Sequence, residues 1–315
     1  MRINTVTGSI DSSELGPTLM HEHICCADWS MRMNFGSRFF DYDKVVDDAV
    51  AMFTKMNREC GVTTVVDGTP LNLGRDVHLI RAVAERTGLQ VVASSGFYYQ
   101  EEPGLMFYPE EQLADLLLDE CQNGIADTGI LPGIMKAAVE TGGVTPYVHK
   151  ILSAVAHTAA QTGLPLFCHH NPHHMNGGEI LSIFESQGMS LSKVILGHSG
   201  DTDDLVYLEE MLKRGCYLGM DRFGYCEMTL SLEKRAATVV ALCEKGYGNR
   251  LLLSHDLVVA GFFGGADKDT KPEDRSPDFT FIHKHVLPAL LAAGLTQDEF
   301  DMMIIENPKR FFEEE

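Results

Sequence analysis

Six side chains in this sequence could together hold and use metal ions: His21, His23, Lys136, His169, His198 and Asp256. Imidazole and carboxylate are suitable donors for zinc, manganese, cobalt or iron. His21 and His23 stand two residues apart in GPTLMHEHI, so in an extended segment both project to one face. Taken alone, such a pair is more often two satisfied core histidines than a metal site. Lys136 lies in the apolar run GIMKAA. An unpaired ammonium is costly to bury, so this lysine must be deprotonated, paired or modified. A deprotonated amine can take up carbon dioxide as a carbamate, whose two oxygens can bridge two cations. The competing account is an ion pair with a carboxylate inside the fold.

Four imidazoles, one aspartate and a carboxylated Lys136 supply enough donors for two divalent ions about 3.5–4 Å apart. Water between such ions becomes hydroxide near neutral pH and can attack an ester or phosphoryl centre. Asp256, itself a donor, can receive the proton. Zinc is the expected metal, with manganese, cobalt or iron as alternatives.

The elements that must position these residues follow from the hydropathy pattern. Short β-rich runs at 18–23, 63–67, 90–95, 133–138, 165–169, 193–198, 216–221 and 250–256 alternate with longer helical patterns. Apolar spacing near 3.6 residues marks helices at 43–59, 77–86, 110–123, 148–162 and 232–245. Asp41 or Asp43 begins one of them, and Pro109 followed by Glu110 and Glu111 begins another. Eight such strands predict an α/β fold, a closed (β/α)8 TIM barrel. An open doubly wound sheet would carry a glycine fingerprint after its first strand, where this chain has histidines. All six candidate residues then fall at or near the carboxyl ends of their strands, the face on which this fold builds active sites. The reading is one domain over 1–315, with a short N-terminal extension and a long loop, 257–276, after strand eight. A helical region at 279–293 and a tail at 295–312 are expected to close the barrel.

Composition narrows the partners. The chain has 25 basic and 45 acidic residues, a net charge of −20. A field of that sign repels polyanions and anionic membranes, and no basic patch suggests nucleic acid. It weighs against a two-metal nuclease for the same reason. A small-molecule substrate is expected. No apolar run reaches the roughly 18 residues of a membrane span, and the first 16 residues lack a signal-peptide core. Eight cysteines without a CxxC pair read as reduced residues of a cytoplasmic protein.

The segments GPTLMHEHI, GIMKAA, PLFCHHN, VILGHSGDT, LLLSHD and NPKRFF resemble the phosphotriesterase family of the amidohydrolase superfamily over nearly the whole chain. The resemblance implies that His21, His23 and Asp256 bind the more buried ion, and that His169 and His198 bind the more exposed one. Carboxylated Lys136 would join the two ions. It also implies the barrel fold, the hydroxide nucleophile and a homodimer. GMDRFG is similar to a segment of phosphotriesterase-like lactonases in which Arg222 would line the substrate site. Tyr98, in SSGFYY, matches a lactonase tyrosine beside the metals. The competing accounts are local pairing of Arg222 with Asp221, and Tyr98 as a core aromatic.

Strand five departs from the lactonase pattern by ending in CHHNPHH, with His170, His173 and His174 in addition to His169. Alternation points His170 away from the interior. His255 precedes Asp256 and is expected to face outward as structural support. Phe262 and Phe263, in the loop after strand eight, are candidate pocket walls.

The expected activity is hydrolysis of lactones or carboxylic esters, with phosphotriester hydrolysis as a side reaction. N-acyl amides and sugar lactones are the close alternatives. A single-metal deaminase would have no use for the bridge at Lys136. A non-catalytic barrel that keeps its metals as structural ties would need a closed, fully coordinated site rather than one at an open mouth.

Overall fold

Nine parallel strands run in the order β10-β9-β8-β7-β6-β5-β4-β3-β11 in the computed structural model, which describes residues 1–225, 229–261 and 277–314. An antiparallel hairpin, β1 (Arg2–Thr5) and β2 (Gly8–Asp11), precedes them. The barrel strands are β3 (Thr18–Cys26), β4 (Thr64–Asp67), β5 (Gln90–Gly96) and β6 (Ile134–Ala138). They continue as β7 (Leu166–His169), β8 (Val194–Gly197), β9 (Tyr217–Met220), β10 (Leu251–Leu253) and β11 (Val258–Gly261). The fold is a single-domain (β/α)8 barrel, as its sequence pattern predicts.

Strand eight differs from its expected form. It stops at Leu253 and resumes at Val258, so β10 pairs with β9 while β11 pairs with β3. The break has a local cause: Asp256 has φ 60°, a left-handed conformation that no strand residue adopts. The Asp256 N–H donates to the His21 carbonyl at 3.1 Å, and the His23 N–H donates to the Leu257 carbonyl at 2.9 Å. These bonds carry the seam across the break and close the barrel.

Helices fill the crossovers as their capping signals require. The helix Tyr42–Cys60 begins where the Asp41 side chain accepts the Lys44 N–H at 3.1 Å, and it ends at Gly61, whose φ is 70°. Its buried face is Val45, Val46, Ala49, Met52, Phe53 and Met56, the spacing of one helical side. Val77–Thr87, Glu110–Asn123, Pro146–Thr162 and Leu232–Glu244 match the remaining expected helices. Two shorter ones, Gly177–Ser186 and Leu205–Lys213, complete the crossovers around β8. No described helix is long and apolar enough to cross a membrane.

Two apolar layers follow from strand alternation. Leu19, Val65, Val91, Met135, Leu196 and Leu253 face the helices. Val66, Val92, Ile134, Phe167, Ile195 and Leu252 fill the barrel. Ile3 of the hairpin joins this inner layer together with Phe311 and Phe312 of the tail, and the Phe311 ring lies 5.1 Å from that of Tyr217. Tyr217 is the first residue of β9, so the tail packs at the amino end of the barrel and leaves the carboxyl end for chemistry.

Candidate metal centre

The six candidate side chains converge at that carboxyl end. Lys136 Nζ lies 2.8 Å from His21 Nε2. Asp256 Oδ1 lies 3.3 Å from His21 Nε2 and 3.2 Å from His23 Nε2. His198 Nε2 lies 2.7 Å from His169 Nδ1. Donor atoms of His21, His198 and Asp256 fall within 4.8 Å of one another.

Room for this cluster depends on the absence of a side chain at Gly68. A side chain at Gly68 would place its Cβ 2.7 Å from His21 Cδ2 and 3.3 Å from Lys136 Nζ. Under the cluster lies Phe167, with its ring centre 4.3 Å from Lys136 Nζ. In β3 the register against β4 shifts between Leu19 and Glu22. That irregularity lets His21 reach the inside even though Met20 already joins the inner core.

Each imidazole is held by its far nitrogen. His21 Nδ1–H donates to Asp221 Oδ2 at 2.9 Å, and His198 Nδ1–H donates to Asp221 Oδ1 at 2.8 Å. His23 Nδ1 pairs with Thr69 Oγ1 at 2.8 Å. His169 is turned the other way: Nε2 faces Glu140 Oε1 at 3.3 Å, which leaves Nδ1 toward His198. Burial lowers the pKa of His21 to about 4 and lowers those of His169 and His198 as well. These three rings are therefore neutral at pH 7, with lone pairs directed into one space. Neutral imidazoles with fixed tautomers, a carboxylate and a buried amine form a donor set that fits divalent cations.

Lys136 has no carboxylate within ion-pair distance among the described residues; its polar neighbour is His21. Burial lowers its pKa to about 8, against the pull of Asp256 and Asp221. The ion pair considered from the sequence is therefore not what accommodates it.

Arg222 does not pair with its neighbour Asp221. Its Nε donates to Asp256 Oδ2 at 3.1 Å and its NH1 to Asp201 Oδ2 at 2.9 Å. Arg235 holds the other oxygen of Asp201. Tyr98 OH stands 3.3 Å from His169 Nδ1, its ring edge-on to the imidazole, so the phenol faces the cluster. Asn72 fixes this loop, accepting the Tyr98 N–H at 2.5 Å and donating to the carbonyls of Tyr98 and Gln100.

The register of strand five is as alternation predicts. His169 faces the cluster, whereas His170 turns outward, its Nδ1 donating to the Gly197 carbonyl. His173 and His174 are exposed on the turn Pro172–His174. His255 faces away from the cluster and pairs with Glu22. Phe262 and Phe263 lie outside the described residues. A cavity of about 830 Å3, with Trp29, Tyr99, Glu101, Glu102, Glu140 and Tyr147 in its wall, reaches the cluster only through Glu140, the partner of His169; none of the six donors lines it.

Sequence reasoning missed Asp221, Asp201, Glu140, Thr69 and Glu22. None belongs to a spacing pattern of its own. Each acts on a residue far away in sequence, and only the adjacency of Glu22 to both histidines could have drawn notice.

His198, Arg222 and Asp256 all take left-handed backbone conformations, with φ of 63°, 59° and 60°. Each costs about 1–2 kcal/mol relative to an ordinary conformation. Such outliers at the ends of three neighbouring strands, all aimed at one cluster, are the kind of strain found where geometry serves a site.

The phosphotriesterase family description matches residues 1–312. A phosphotriesterase homology protein of Mycobacterium tuberculosis is 36% identical, with 99% of this chain and 97% of that protein aligned. An aryldialkylphosphatase of Saccharolobus solfataricus is 31% identical over 99% of this chain and 100% of its own length. An N-acetyltaurine hydrolase of Mus musculus is 27% identical over 98% and 97%. The solved structure of the phosphotriesterase from Mycobacterium tuberculosis superposes with a TM-score of 0.91 at 36% identity, covering 99% of this chain and 98% of that one. With the barrel, the converging histidines and these matches in agreement, the chain belongs to the phosphotriesterase family.

Proposed function

We propose that this protein is a binuclear metal-dependent hydrolase of lactones or carboxylic esters, with phosphotriester hydrolysis as a side activity. The observation that carries this is the orientation of the imidazoles. Each has its outer nitrogen engaged and its inner nitrogen aimed at the space shared with Asp256 and Lys136. His21, His23 and Asp256 would hold one ion, and His169 and His198 the other, with a carboxylated Lys136 joining them. Zinc is the first expectation, and manganese, cobalt or iron suit the same donors. When bound, the pair supplies Lewis acidity and makes water acidic enough to serve as a nucleophile near neutral pH.

The protein's own groups supply the rest. Asp256 accepts the nucleophile's proton on a carboxylate that Arg222 holds anionic from its other oxygen. Burial raises the Tyr98 phenol well above its usual pKa, so it stays a proton donor and can hydrogen-bond an oxygen that gains charge. Arg222 adds a fixed cation beside Asp256. The cavity that Glu140 lines also carries the carboxylates of Asp28, Glu101 and Glu102. That lining repels substrates that already carry a negative charge, such as a sulfonate.

The second reading is hydrolysis of N-acyl amides, supported by the N-acetyltaurine hydrolase relatives. The acidic cavity weighs against a sulfonate-bearing amine. Proton release by metal-replete protein on matched lactones, aryl esters, N-acyl amides and phosphotriesters tests the choice. Preference for lactones or esters supports the proposal; preference for amides overturns it.

A further inference from the structure

Glu22, between the two histidines of HEH, points away from the metal cluster and is fully buried. Its Oε1 accepts the backbone N–H of His255 at 2.8 Å and the His255 Nδ1–H at 2.7 Å. Its Oε2 accepts the backbone N–H of Leu257 at 3.0 Å. The His255 tautomer is set from the far side, where Nε2 accepts the Ile282 N–H at 3.0 Å. One carboxylate thus grips the chain on both sides of Asp256, whose own N–H is anchored on His21.

We propose that Glu22, with His255, is a positioning residue that fixes the Asp256 carboxylate toward His21, His23 and Arg222. This rests on reading Asp256 as metal donor and proton acceptor. The geometry makes the link direct. With residues 255 and 257 both tied to one side chain, the segment between them turns through a left-handed residue and drives the Asp256 side chain inward. Its Oδ1 comes to rest 3.3 Å from His21 Nε2 and 3.2 Å from His23 Nε2. Three donors converge on Glu22, so an amide in its place cannot satisfy all of them: its NH2 would oppose an N–H. The motif therefore has a division of labour, with its outer residues facing the ions and its central one holding a third donor from the far end of the chain.

The test uses the full chain, stripped of metal and titrated with cobalt(II). In Glu22→Gln, amide hydrogen exchange at 255–258 is expected to accelerate at least roughly tenfold. Cobalt affinity and kcat at saturating cobalt should each fall about 10–100-fold, with KM within about twofold. A second comparison does not depend on that variant folding. His255→Asn, whose amide can still donate to Glu22, should recover most of the affinity and kcat that His255→Leu loses. Wild-type affinity and kcat in Glu22→Gln, or indistinguishable Asn and Leu variants, would overturn the proposal. If the unmodified protein takes up no cobalt and hydrolyses nothing, the reading of the metal site fails instead. Exchange at Leu257 then still decides the clamp, since protection unchanged by Glu22→Gln overturns it.

Discussion

Asp221 accepts a hydrogen bond from His21 Nδ1 at 2.9 Å, and its other oxygen takes His198 Nδ1 at 2.8 Å. Two imidazoles, one from β3 and one from the end of β8, each assigned to a different proposed ion, are oriented by a single buried carboxylate. Burial works against its ionisation, but the hydrogen bond from His21, with Arg222 and Lys136 nearby, holds its pKa below the usual range. Asp221→Asn keeps the volume and offers only one acceptor oxygen, so one imidazole loses its orienting partner. Metal affinity is expected to fall about 10–100-fold for such an outer partner. Metal content after dialysis against a graded chelator series measures it, and unchanged retention would refute the shared role.

Lys136 gives a prediction of a different kind, because its replacement is chemically reversible. Lys136→Ala should lose most bound metal and activity, and a short-chain carboxylic acid added at millimolar concentration should restore part of both. The added acid would occupy the space of the missing carbamate beside Phe167 and His21. Metal analysis with and without the acid checks this. Full metal content in Lys136→Ala alone would remove the bridge.

Arg222 lies beside the donors without being one. Arg222→Ala is expected to keep its metal and lose roughly tenfold or more in lactone kcat/KM, as befits loss of a fixed charge near a developing oxyanion. The pairing of Asp201 with Arg235 remains in the variant, so that aspartate is not left alone. Turnover equal to the parent protein's, at equal metal content, would take Arg222 out of the substrate site.

Much of this arrangement was legible in the sequence because it is local. The alternation that sends His169 inward sends His170 outward, and one look at strand five predicts both. Apolar runs ending in His, Lys or Asp predict which strands carry the site. What sequence spacing does not convey is pairing across the barrel. Asp221 sits next to Arg222, and adjacency suggests a pair; the fold instead sends the carboxylate down to two histidines and the guanidinium sideways to Asp256 and Asp201. The break in strand eight escaped for a similar reason. LLLSHD reads as a continuous strand, and only Glu22, more than 230 residues earlier, shows why the chain turns at Asp256.

Acid should destabilise the metal-free protein earlier than ordinary carboxylate titration would. Burial lowers the pKa of His21, His170 and His283 to about 4 from the usual 6.5. Between those values the unfolded chain binds protons that the folded one excludes, so stability rises with pH across the window and falls as pH drops through it. His21 and His170, both fully buried, each contribute about 2 kcal/mol of lost stability between pH 7 and pH 5, and the half-buried His283 less. His170 and His283 lie outside the metal cluster, and bound metal would not remove their share. Urea denaturation at pH 7, 6 and 5 should therefore show a falling midpoint in the metal-free protein, with a smaller fall in His170→Phe, which has no proton to bind. A midpoint that is flat from pH 7 to 5 would mean that these rings titrate in the folded protein much as they do in the unfolded chain.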